Sequence, residues 1–163
     1  MEGQTGWGDF MVAVAGAAGA LAGLVFVALS INLNKIIELP GVAGRARDAV
    51  LLIASVLLGA LMALIPGQTP HRLGLMYLAL WVAAGVFPAS VQIRALFRRD
   101  YYRLVHAVWR LGLHQAATIP LLLSGLSLRG HLAGGMNWFA LAVILSIAVA
   151  LINAWVLLVE IMR

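Results

Sequence analysis

Residues 10–33 read FMVAVAGAAGALAGLVFVALSINL, 24 residues without one charged side chain. At about 1.5 Å of rise per residue, a helix of that length reaches roughly 36 Å, enough to cross a bilayer with some tilt. Inside lipid every main-chain N–H and C=O must be satisfied within the protein, and a helix does this locally. Gly16, Gly19, Gly23 and Ser30 recur at steps of three, four and seven, and Asn34 follows four later, so all share one face. Acyl chains give apolar helices no hydrophobic reason to associate. Helices therefore join through close backbone approach, which small residues permit. The expectation is a packing seam at Gly16, Gly19 and Gly23, against neighbouring spans or against copies of the same helix.

Composition sets the class. The mean hydropathy is +1.01, with 63% hydrophobic and 10% charged residues, where a soluble domain carries about a quarter charged. A chain of 163 residues predicts one domain, here spanning 1–163. With no cysteine, disulfides, thiolate metal sites and thiol catalysis are excluded. The net charge of +5 does not point to nucleic acid, because the basic residues lie between apolar runs. The first ten residues hold Glu2 and Asp9 but no Lys or Arg, unlike the basic start of a signal peptide, and are read as a non-cleaved leading segment.

Outward from the first run, four more follow. The pattern predicts an all-α integral membrane helical bundle with five transmembrane spans near 10–33, 49–66, 73–93, 111–128 and 136–159. Pro40-Gly41 and the charges between Lys35 and Asp48 mark a surface linker, and Pro66-Gly67 ends the second span. Ser55 and Gly59, with Ala63, repeat the small-residue row at steps of four, which makes them packing candidates. Pro88 predicts a kink in the third span, and Pro120 interrupts the fourth. With the N-terminus outside and the C-terminus inside, nine of the eleven basic residues fall on the cytoplasmic side and only Arg72 and Arg129 on the other. That split is what the positive-inside rule asks of an odd number of spans.

The polar residues at membrane depth carry the functional clues, because such groups are costly unless they face protein or water. On the last span Ser146, Asn153 and Glu160 share a face, either as interhelical hydrogen-bond partners or as a polar strip beside a water path. Ser30 and Asn34 close the first span, where they can satisfy helix-end groups. If the small-residue face lines a symmetric pore, they form polar rings, with Phe26 a constriction above them. His106, Arg110 and His114 also share a face. Two histidines about 12 Å apart along one helix do not suit a haem, so the reading is interfacial histidines beside a snorkelling arginine, with a pH-sensitive gate at His106 and His114 as the alternative. His71 and His131 fall on outer turns, so no metal cluster is expected and no cofactor. Gln92, Gln115 and Thr118 read as packing contacts. Arg94, Arg98, Arg99 and Arg103 form the most basic stretch and suit anionic lipid headgroups. H-E-x-x-H, phosphate-binding glycine loops and G-x-S-x-G are all missing, which argues against an enzyme.

AGLVFVALSINLNKIIELPGVAGRARDA (22–49), ALIPGQ (63–68) followed by LGL (73–75), and INAWVLLVEI (152–161) resemble a family of small bacterial multi-span membrane proteins. The resemblance covers about half the chain. Some of that family are labelled modulators of the membrane protease FtsH, so it implies a bacterial inner-membrane location and a membrane-protein partner. From the residues themselves the leading expectation is a homo-oligomeric ion channel or pore in contact with membrane lipids. The alternative is a non-conducting regulatory or scaffold subunit.

Overall fold

The computed structural model describes residues 2–38, 42–96 and 101–162, with side chains described for 6–38, 42–93 and 108–159. Among the described residues all regular structure is helical. The helices are α1 (Glu2–Ile31), α2 (Leu33–Glu38), α3 (Val42–Ala63), α4 (Pro70–Trp81), α5 (Phe87–Leu96), α6 (Tyr101–Leu128) and α7 (Met136–Met162). A single π-helical turn, Val82–Val86, joins α4 to α5. Five segments are long and apolar enough to cross a membrane: Gly6–Ile31, Val42–Ala63, Pro70–Ile93, Val108–Leu128 and Met136–Val159. That is the make-up of a multi-pass membrane protein.

Local chemistry explains where these helices start and stop. Thr69 caps α4 by accepting the Arg72 N–H at 3.4 Å, and Pro70 follows where a missing N–H costs nothing. The third span therefore begins three residues before the predicted Leu73. The second span begins at Val42, well ahead of the predicted Ala49, because Gly44, Arg45 and Arg47 extend the helix instead of lying in a linker. Pro120 does not interrupt α6, which runs through it as one helix of 28 residues; membrane helices tolerate proline where neighbouring groups meet the freed carbonyl. The turn between α6 and α7 uses Gly130, Gly134 and Gly135 at φ of 85°, 114° and 52°. Ser127 closes it, accepting the Gly135 N–H at 2.6 Å and donating to the Leu132 carbonyl at 2.8 Å.

The chain forms two compact units, Met1–Pro66 with Ser146–Arg163, and Gly67–Leu145. In the first, α1 packs along α3. Met11, Val14 and Ala18 are the buried residues of α1, and they meet a helix whose buried face includes Ala49, Ile53, Val56 and Ala60. Ser55 and Gly59, the second expected small-residue row, are buried as well. Ile36 of α2, Val42 and Ala46 of α3 and Leu157 of α7 form a separate apolar cluster, with Leu29 against it.

The expected seam on α1 faces away from this contact, by roughly 140° at about 100° per residue. A Cβ added at Gly16, Gly19 or Gly23 would meet nothing within 4 Å. Within the chain these three glycines are therefore not packing residues. Ala18, fully buried, holds that place.

In the second unit close backbone approach occurs at two glycines the sequence does not single out. A Cβ at Gly74 of α4 would stand 2.8 Å from the Gly125 carbonyl oxygen, and one at Gly125 of α6 would stand 3.0 Å from the Gly74 oxygen. Tyr77 stacks on Phe139 of α7 with ring centroids 4.8 Å apart, worth about 1 kcal/mol beyond area burial.

These contrasts predict opposite outcomes for one substitution. Gly74→Ala and Gly125→Ala each press a methyl against main chain that cannot swing away, and should lower stability by about 1–3 kcal/mol. Gly19→Ala has open space and gains helix propensity, so it should be neutral or stabilising by up to about 1 kcal/mol. Reversible unfolding of each variant in mixed micelles measures the difference.

Candidate functional site

Inside the second unit a polar contact between the third and fourth spans lies at mid-depth of both. In an α-helix the Ala84 carbonyl would accept from the N–H of residue 88, but residue 88 is proline and has none. The helix responds one turn earlier by widening, so that the Phe87 N–H reaches back five residues to the Val82 carbonyl. Two main-chain carbonyls at this turn, of which Ala84 is the one that faces the proline, are met from α6. His114 Nε2 lies 2.7 Å from the Ala84 oxygen, and Gln115 Nε2 donates to the Gly85 oxygen at 3.1 Å. Because a carbonyl only accepts, Nε2 is the protonated ring nitrogen of His114 in this contact.

Gly85 lets the contact close. A Cβ there would sit 3.0 Å from Trp81 Nε1 and 3.1 Å from Thr118 Oγ1. The Thr118 hydroxyl donates to the His114 carbonyl at 3.1 Å and lies 3.3 Å from Gln115 Oε1. Two buried nitrogens at this level, Trp81 Nε1 and His114 Nδ1, have no hydrogen-bond partner among the described residues. No carboxylate occurs among the described residues of this unit, so hydrogen bonds and not ion pairs join the spans here.

The sequence places His114 at the membrane interface; the structure puts it inside the protein, 1% exposed. Gln115 and Thr118, read from sequence as packing contacts, are part of the same polar group. The signal available was the pairing of a proline in one span with a histidine and a glutamine in the next, which sequence spacing alone does not bring together. The side chain of His106 lies outside the described residues, as do those of Arg94, Arg103 and Glu160 and the whole of Arg98 and Arg99.

The candidate pore residues separate into two groups. Gly16, Gly19, Gly23, Phe26, Ser30 and Asn34 are all exposed along one side of α1 and α2. Ser146 and Asn153 are buried, so they do not stand free on an outer face with Ser30 and Asn34. Their burial fits the reading as helix-packing groups better than that of a strip beside water. Asp48, counted from sequence among surface linker charges, is fully buried, 3.1 Å from Arg47 Nη2. A carboxylate is kept in such a place only by partners, and its position inside α3 follows from the early start of that helix. Among the described residues no group of His, Asp or Glu could hold a metal ion.

Comparison with protein-family models, curated proteins and solved structures returns no match.

The hand-over of the Ala84 carbonyl predicts a coupling. His114→Leu leaves that buried oxygen without its donor and should cost about 1–3 kcal/mol. Pro88→Ala restores a main-chain N–H to the same oxygen, so the loss from His114→Leu should shrink in that background. Unfolding of the wild type, both single variants and the double variant in mixed micelles measures the coupling; equal losses in both backgrounds would contradict it.

Proposed function

We propose that the protein is a small homo-oligomeric ion channel or pore of a bacterial inner membrane, with its N-terminus outside and its C-terminus inside. One observation carries this reading: the first span is the least covered of the five, and its open side is the small-residue face that continues into Ser30 and Asn34. Only 11% of its most apolar window is buried, against 50% for the second span. Polar groups left open near the end of a span are stable when they face water or protein. A second copy brings the glycine faces together at close range, and a ring of copies turns Ser30 and Asn34 towards a shared axis with Phe26 narrowing it. The basic stretch Arg94–Arg103 supports the inward placing of the loop between the third and fourth spans and suits anionic headgroups.

The same open face supports a second reading, in which it receives a helix of another membrane protein and the chain is a regulatory or scaffold subunit. Particle mass and ion flux separate the two. Gly19→Leu with Gly23→Leu fills space that is empty within the chain, so the fold should persist while the oligomer disperses in mild detergent. Liposomes holding the wild type should pass monovalent ions at rates above protein-free controls, and the double variant should not. A monodisperse monomer without flux, in several salts at acid and neutral pH, would leave the regulatory reading.

A further inference from the structure

Within the second unit, the third span, α4 with the π-turn that follows it, touches α6 in two chemically different ways. At one end Gly74 and Gly125 bring main chain against main chain, a contact that no side chain can loosen by changing rotamer. At the other end the spans are held by side-chain donors on main-chain acceptors, His114 to Ala84 at 2.7 Å and Gln115 to Gly85 at 3.1 Å. The two ends are ten or eleven residues apart along each helix, which is about 15 Å. The second end coincides with the π-turn Val82–Val86, and Pro88 follows it, the kind of feature at which helices change direction.

We propose that this pair is a conformational device, in which Gly74–Gly125 is a fixed pivot and His114–Gln115 a latch that holds the π-turn of the third span against the fourth. Side-chain donors can leave by rotating, whereas the glycine contact cannot, so the latch end is the one that opens. When it opens, the Ala84 and Gly85 carbonyls, the Thr118 hydroxyl and the Trp81 indole N–H become a polar strip at mid-membrane depth. Such a strip is stable only when water or another polar group meets it. His114 and Gln115 are positioning residues in this device: they set the separation of the spans and contact no transported species. The device rests on the second unit alone and goes beyond the pore reading, since its moving part is independent of what the first span assembles with.

Spin-label distances in lipid test it. The chain has no cysteine, so introduced pairs are labelled without background. One pair, Phe87→Cys with Trp109→Cys, reports on the latch end, at positions 68% and 71% exposed. A second pair, Leu75→Cys with Leu132→Cys, reports on the pivot end, each 46% exposed. His114→Leu with Gln115→Leu should lengthen or broaden the latch-end distribution to about twice its width and leave the pivot-end distribution unchanged. Pro88→Ala keeps both donors but offers Ala84 a main-chain N–H, and should shift the latch-end distance while the protein stays folded. An unchanged latch-end distance in both backgrounds overturns the latch, and equal broadening of both pairs overturns the pivot. Flux measured on the same samples keeps the outcomes apart: a moving latch without flux removes the pore reading only, and flux without movement removes the latch only.

Discussion

A main-chain carbonyl in the middle of a bilayer has no water to turn to, and that constraint organises the third and fourth spans. Pro88 takes away the one donor that the α-helix would supply to Ala84. The helix widens into a π-turn just before the proline, and the fourth span supplies a donor to Ala84 through His114 and one to the neighbouring Gly85 through Gln115. The two spans are thus joined by groups that each would leave unsatisfied alone. A buried unmade hydrogen bond costs about 1–3 kcal/mol, more than a typical net contribution from a made one, so the contact is held chiefly by the penalty for its absence. Gly85 keeps the contact tight for a steric reason. Any side chain there would press on the Trp81 ring and the Thr118 hydroxyl that close the contact.

The rest of the packing follows from lipid being as apolar as leucine. Burial of aliphatic groups drives little association, and close approach decides which faces meet. In the first unit the small residues inside include Ala18, Ala49, Gly59 and Ala60. In the second it is Gly74 against Gly125. The glycine-rich side of α1 remains open, and this unspent capacity for close contact is what the oligomeric reading draws upon.

Much of this architecture is legible in the sequence, for identifiable reasons. Hydropathy over windows of 18 residues or more is a strong signal, and all five spans fall near their expected places. Their starts are less legible: Val42 opens the second span early because Gly44 and two arginines are tolerated in a helix end, and with that shift Asp48 passes from surface to core. The small-residue rule finds rows but not isolated partners. Gly16, Gly19 and Gly23 form a row and face outward, whereas Gly74 and Gly125 stand singly and touch across 51 positions of chain. On α1 the true contact face, Met11, Val14 and Ala18, lies roughly 140° round the helix from the glycine row. From sequence His114 reads as interfacial because it shares a helical face with His106 and Arg110. What puts it inside is a carbonyl 30 residues away, freed by a proline.

The most direct test is magnetic-resonance distance measurement in lipid between histidine 15N and alanine carbonyl 13C. The expected result is dephasing of one alanine carbonyl by a protonated histidine Nε2, abolished by His114→Gln. A histidine Nε2 with no alanine carbonyl in contact, while the protein is folded in the bilayer, would contradict the joining of the two spans through Ala84.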